Sequence, residues 1–137
     1  MTISQRGQVL TDLATLILRL SAGLMMAFAH GYGKITKFFS GEEIQFADPI
    51  GLGPSVSLFL AGSAEFFCAL AVAIGLYTRL SAIPVAFTMA VAAFVVHAND
   101  PFQKQEFAML YFFVFLFLAM VDPGKFSVDA LIRKKRG

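Results

Sequence analysis

The sequence has little cysteine and little charge, and each shortage excludes a class of protein. Cys68 is the single cysteine among 137 residues, so the chain has no intramolecular disulfide and no dithiol redox pair of its own. Charged residues make up 15%, whereas a soluble domain has about a quarter. The sequence also lacks CxxC and CxxCH motifs and a glycine-rich nucleotide loop, so no bound cofactor is evident from it.

Apolar residues, by contrast, make up 58% of the chain and are gathered into four blocks. A bilayer core requires about 20 helical residues, and lipid forces the helical form because no water satisfies open backbone groups. A buried core helix of a soluble protein would explain one block, but not four in so short a chain. We therefore predict one domain over residues 1–137, an all-α four-helix transmembrane bundle. Its helices cover residues 9–30, 55–77, 80–98 and 106–122, with an outer connection at 31–54.

The basic residues are divided unequally between the two ends of these helices. The richer end carries Arg6, Arg79, Lys125, Arg133, Lys134, Lys135 and Arg136. The poorer end carries only Lys34, Lys37 and Lys104. The positive-inside rule then predicts a multi-pass protein of the inner (plasma) membrane with both termini in the cytoplasm. The basic C-terminal cluster is interpreted as an anchor at the bilayer surface, not as a nucleic-acid site.

Two charged residues lie deep inside the apolar blocks. Arg19 interrupts the first block and Glu65 lies near the middle of the second. A charge at such depth is costly unless it is paired or faces the bundle interior. Because the two have opposite signs and similar estimated depths, we predict a buried Arg19–Glu65 ion pair. Arg19 is expected to be structural, and Glu65 to be the functional acid or base.

Further polar residues gather at the predicted outer mouth. His30 lies three helical turns after Arg19, and His97 ends the third block. Histidines and buried carboxylates relay protons in membrane proteins. Glu65, His97 and His30 are therefore predicted to be catalytic, although each histidine would also suit a simple interfacial position. Residues expected to line the same pocket are Lys34, Phe94, Asn99 and Glu106.

Two ligands are compatible with this mouth. The chain contains 16 phenylalanines, many toward the outer half, and an aromatic pocket with acid and base groups at one end would suit a quinone ring as substrate. A metal is the weaker alternative: His30, His97 and Glu106 would suit zinc or non-haem iron. No two of these three residues share a helix at ligand spacing, however.

Four segments together resemble the DoxX family of small four-helix membrane proteins. They are LRLSAGLMMAFAHGYGKI, AGSAEFFCALAVAIGLYTRLSA, FVVHANDPF and DPGKFSVDALI, in that order along nearly the whole chain. The resemblance implies a membrane-embedded oxidoreductase, or a subunit of one, linked to the quinone pool. Its electrons would come from a substrate, from a lipid-soluble quinone or from a partner redox protein. The family positions that it carries over are Arg19, His30, Gly31, Lys34, Glu65, Arg79 and His97.

Two readings from other classes remain open. The chain would also suit a non-enzymatic membrane subunit that anchors or assembles a partner enzyme. A small proton-coupled transporter is a further alternative, and since four helices are few for a carrier, it would require a homo-oligomer. In the first case Glu65→Gln and His97→Ala would change stability or partner recovery without a ligand effect. In the second case proteoliposomes would show flux that depends on a pH gradient.

Overall fold

A computed structural model describes all residues 1–137, and its regular secondary structure is entirely helical, with no strand. Four helices are long and apolar enough to cross a membrane, which confirms the predicted fold class. They are α1 (Ile3–Phe39), α2 (Pro54–Ile74), α3 (Thr78–Val96) and α4 (Phe102–Met120). A short fifth helix, α5 (Val128–Arg136), ends the chain.

The bundle has two distinct ends. The segment that precedes α5 contacts the first half of α1, since Arg19 hydrogen-bonds to the carbonyl of Phe126. Both termini therefore lie at the same end, which we call the terminal end. The connection after α1 and the α3–α4 turn lie at the other, the connection end. Placement of the terminal end in the cytoplasm stays a prediction.

The first helix is longer than its apolar block. Thr2 and Gln5 form a reciprocal capping box that starts α1 six residues before Val9. At the other end α1 continues through Tyr32–Phe39, which the sequence placed in the outer connection. The helix therefore carries Lys34, four residues after His30, as a part of its own surface.

Each of the first three helices contains one five-residue π-helical turn. These turns are Ala27–Gly31, Ala64–Cys68 and Ala92–Val96. Such turns re-aim side chains within a helix and are frequent at functional sites. The first two pack together so closely that a Cβ on Gly31 would meet the backbone of Glu65 and Phe66. Only glycine allows this approach of α1 to α2.

The terminal end is closed by a cap on α3. The turn before this helix needs left-handed backbone at Gly75 (φ 78°) and Tyr77 (φ 44°). The Asp129 carboxylate accepts hydrogen bonds from the backbone N–H groups of Tyr77 and Thr78 and from the Thr78 hydroxyl, at 2.7–2.9 Å. Asp129 thereby caps the N-terminus of α3 and holds α5 against it.

The interior consists mainly of small residues, and the outer surface is apolar, as expected where lipid replaces water. The core combines alanines with a few larger side chains, among them Met26, Val72, Val85 and Phe115. Many large apolar side chains point outward, including Phe28, Phe87 and Phe113. Small residues inside let helices approach, and apolar side chains outside contact lipid at no hydrophobic cost.

Candidate functional site

A cavity of about 540 Å³ lies between α2 and α3 near the connection end. Hydrophobic residues form 13 of its 22 lining positions, and the charged side chains among the others include Lys34 and Glu65. Leu60 of α2 and Phe87 of α3 both line it and are both exposed, so the cavity reaches the lipid-facing surface between these helices. Its size and apolar walls suit a small organic ligand.

The polar end of the cavity is an ion pair between α1 and α2. The Lys34 ammonium lies 2.5 Å from the Glu65 carboxylate, which is 3% exposed, and also donates to the carbonyl of His30 at 3.4 Å. Both side chains line the cavity. Two π-helical turns position them, because Glu65 belongs to the turn in α2 and Lys34 follows the turn in α1.

The predicted Arg19–Glu65 pair is wrong, and the register of α1 against α2 explains why. Gly31 packs on Glu65 and Gly23 packs on Ala69, so Arg19 lies opposite Gly75. Ten helical residues, or about 15 Å, separate Gly75 from Glu65. The depth estimate assumed that α1 ends near residue 30; because the helix continues, Lys34 and not Arg19 meets the carboxylate.

Arg19 instead holds the C-terminal segment. Its side chain is fully buried, and Nη2 donates to the carbonyl of Phe126 at 2.7 Å. Its Nε and Nη1 have no hydrogen-bond partner within the protein. The expected structural role of Arg19 is compatible with this position, but its partner is a backbone carbonyl.

His30 lines the cavity from the π-helical turn of α1. Its ring packs against Phe107 and Tyr111 of α4, with centroids 5.2 and 5.8 Å apart. Aromatic packing of this kind fixes ring orientation. His30 is therefore a half-buried side chain on the cavity wall, close in the chain to the Lys34–Glu65 pair.

His97 lies at the cavity mouth and is held by the side chains of Asp100 and Gln105. Its Nδ1 is 2.7 Å from an Asp100 carboxylate oxygen, and Gln105 donates to the carbonyls of His97 and Ala98 at 2.7 and 2.9 Å. The hydrogen bond from His97 is the main cause that lowers the pKa of Asp100. A carboxylate on one ring nitrogen selects the tautomer and leaves the other for proton exchange.

The remaining candidates lie outside the cavity. Phe94 is 52% exposed and packs edge to face against Phe112, and Asn99 and Glu106 are exposed and absent from the cavity wall. Successive residues point in different directions round a helix, and sequence proximity to His97 did not reveal this. Nor does the structure gather His30, His97 and Glu106 into a group that could hold a metal ion.

Part of the cavity wall comes from the outer connection, of which the sequence predicted only Lys34 to line the pocket. Phe46, Pro49 and Ile50, which follow α1 and precede α2 in the chain, line the cavity. Asp48 holds this stretch, because its carboxylate accepts hydrogen bonds at 2.9–3.0 Å from the Ser57 hydroxyl and from the N–H groups of Leu52 and Gly53. The bond from Ser57 is the main cause that lowers the pKa of Asp48.

Comparison with known proteins gives a family and one curated relative. The family model described as DoxX matches residues 14–98, which include Arg19, His30, Lys34, Glu65 and His97. The chain is 31% identical over 130 residues to "Inner membrane protein YqjF" of Escherichia coli (strain K12), covering 92% of this chain and 97% of that one. No solved structure matches.

Proposed function

Because this chain belongs to the DoxX family and is a multi-pass protein of the inner membrane, we propose that its cavity binds a membrane quinone and exchanges protons with it. One observation carries the proposal. The Lys34–Glu65 ion pair lies at the end of a 540 Å³ apolar cavity that reaches the lipid-facing surface. A quinone is apolar, travels in lipid and gains protons at its oxygens when it is reduced.

The ion pair is suited to the proton transfers. A quinone takes up two electrons and two protons to become a quinol. Lys34 and Glu65 lie 2.5 Å apart and both line the cavity. In this scheme the Lys34 ammonium gives a proton to a quinone oxygen as the ring is reduced, and the Glu65 carboxylate stays beside it to accept the next proton. His97, held by Asp100 at the mouth, returns a proton to the pair from the aqueous phase. A second such cycle completes the quinol.

The electrons come from a partner redox protein. Cys68 is the single cysteine and is partly buried in the bundle, so one chain has no dithiol to oxidise. The proposed reaction therefore transfers two electrons from the reduced partner to the quinone, and the partner leaves oxidised. In this scheme the present chain supplies the quinone site and the protons.

Quinone binding by the purified protein in nanodiscs tests the proposal. Wild type and Glu65→Gln are titrated with a soluble quinone analogue. Saturable binding is expected, and it should weaken about tenfold or more in the variant, which loses the charged partner of Lys34. Glu43→Gln is the matched control, because Glu43 is an exposed carboxylate of the outer connection and lies outside the cavity.

Two results would contradict the proposal. Absence of saturable binding to folded wild type would exclude a quinone site in this chain, and the non-enzymatic subunit would then be the better description. Equal weakening by Glu65→Gln and Glu43→Gln would show that general charge, and not the ion pair in the cavity, determines binding.

A further inference from the structure

A second concave site lies at the terminal end, far from the quinone cavity. It is a groove of about 340 Å³ between the start of α3 and the C-terminal segment. Three arginines line it: Arg79 from α3, and Arg133 and Arg136 from α5. Three guanidinium groups around one groove at the edge of a transmembrane bundle favour an anionic ligand.

The acidic residues of the groove are already engaged. Asp129 uses its carboxylate to cap α3, and Asp122 accepts a forked pair of hydrogen bonds from Arg133 at 2.8 and 3.3 Å. Arg79 and Arg136 take part in no ion pair. The Arg79 side chain is nevertheless held in place, because its Nε donates a hydrogen bond to the carbonyl of Val121 at 3.1 Å. The terminal nitrogens of two arginines therefore remain for a ligand.

The groove is apolar on the side that faces the membrane helices. Leu80, in the first turn of α3, lines it and is 67% exposed, and Ile132 of α5 lines it as well. A ligand that places an anionic group between the arginines can therefore lay an apolar chain along Leu80 and the lipid-facing surface of α3. Free phosphate would use only the cationic part.

We propose that this groove binds the phosphate headgroup of an anionic phospholipid from the leaflet at the terminal end. Arg79 and Arg136 contact the phosphate oxygens, which the planar guanidinium fork matches in geometry. Basic pockets beside transmembrane helices are known to take anionic headgroups. The bound lipid would join α3 to α5 and hold the C-terminal helix on the membrane surface.

Lipid binding by the detergent-purified protein, measured by native mass spectrometry, tests the proposal. Phosphatidylglycerol is compared with phosphatidylcholine of the same acyl chains, and phosphatidylglycerol should bind at least tenfold more tightly. The double variant Arg79→Gln/Arg136→Gln should lose most of that preference, at about fivefold for each arginine. Lys134→Gln/Lys135→Gln removes the same charge outside the groove and should cost less than about twofold.

Several outcomes would overturn the site. Equal binding of the two lipids by wild type, which needs no variant to fold, would exclude headgroup selection. Equal losses in the two double variants would show a diffuse basic surface. Binding of inorganic phosphate as tight as that of phosphatidylglycerol would show a free-anion site and not a lipid site. These results test the groove alone, because the groove and the cavity at Glu65 share no lining residue.

Discussion

Two buried charges in the same bundle have opposite surroundings. Glu65 is 3% exposed, lies on the wall of a cavity and has Lys34 as a charged partner 2.5 Å away. Arg19 is fully buried, lines neither of the two cavities described above, forms no salt bridge and hydrogen-bonds to a backbone carbonyl. The first arrangement fits the proposed proton transfer to a ligand, whereas the second joins two segments of the chain.

The difference shows that burial alone does not identify a functional charge in a membrane protein. Both residues interrupt apolar blocks, and an intramembrane charge is a functional candidate by default. What separates them is the partner and the neighbouring space. Glu65 adjoins empty volume that a ligand can fill, and Arg19 is covered by Gly75 and the C-terminal segment.

The largest expected effect comes from removing the partner of Glu65. Lys34→Met leaves a buried carboxylate without its cation, and loss of one member of a buried pair costs about 3 kcal/mol. Unfolding of the purified protein in mixed micelles with increasing dodecyl sulfate measures this cost. The double variant Lys34→Met/Glu65→Gln should recover much of it, because no charge is then left unpaired.

Additive losses in that double-mutant cycle would contradict the pairing. They would mean that Lys34 and Glu65 contribute independently, and Glu65 would then resemble Arg19 in having no ionic partner. Lys37→Met, three residues further along α1, is the matched control and should change the free energy of unfolding by less than about 0.5 kcal/mol.

The second test concerns the close helix contact that positions the pair. Gly31→Ala places a methyl group against the backbone of Glu65 and Phe66, which cannot move aside as a side chain can. Overpacking of this kind costs about 2 kcal/mol, and separation of α1 from α2 should also weaken quinone binding. Unfolding and ligand titration are measured together on the same preparation.

Gly33→Ala is the control within the same helix. A Cβ at Gly33 has no neighbour within 4 Å, and alanine favours helix over glycine, so this variant should be unchanged or up to about 1 kcal/mol more stable. Destabilisation of both variants by the same amount would show that α1 is sensitive to any added methyl group and not to this contact.

The four helices could be predicted from the sequence because lipid leaves few alternatives. Four apolar blocks of bilayer length predict helix, and the same argument identified Glu65 as a buried acid. His30 and His97, which the sequence placed at one outer mouth, both line the same cavity. These inferences depend on composition and on the direction of each helix through the membrane.

The partner of Glu65 could not be predicted in the same way. It depends on the register of α1 against α2, which Gly31 sets by allowing backbone contact, and on the continuation of α1 beyond residue 30. Both effects arise from packing. The π-helical turns also rotate the side chains that follow them, and a regular helical period does not predict that rotation. Phe94 lies within the π-helical turn of α3 and faces outward, which helical periodicity could not predict.

Substitution of Arg19 should have a smaller effect on stability, because its removal breaks no salt bridge. Arg19→Met loses the hydrogen bond to the Phe126 carbonyl but also removes two buried donors that have no partner. These contributions oppose one another, so the free energy of unfolding should change by no more than about 1 kcal/mol. The C-terminal segment, however, should loosen.

A spin label at Lys125→Cys, in a Cys68→Ser background, measures that loosening. Its mobility should rise in Arg19→Met, and Arg19→Lys should restore only part of the order because an ammonium group lacks the guanidinium geometry. A loss of 3 kcal/mol, as large as that of Lys34→Met, would contradict the comparison, since it would mean that Arg19 also has an essential ionic partner.

The smallest effect should come from acidification at the terminal end, where an exposed ion pair supplements Arg19 in holding α5. The hydrogen bond from Arg133 is the main cause that lowers the pKa of Asp122. Its stabilising contribution is therefore complete above the unfolded-state pKa of about 3.9 and is lost as the pH falls through the lower folded-state value. Because both side chains are more than half exposed, the contribution is under about 1 kcal/mol.

A spin label at Lys135→Cys, again with Cys68→Ser, should become more mobile between pH 5 and pH 2. In Asp122→Asn the label should be mobile already at pH 5, with a smaller further change on acidification. Identical acid responses with and without Asp122 would show that the terminal end is held by Arg19 and Asp129 alone.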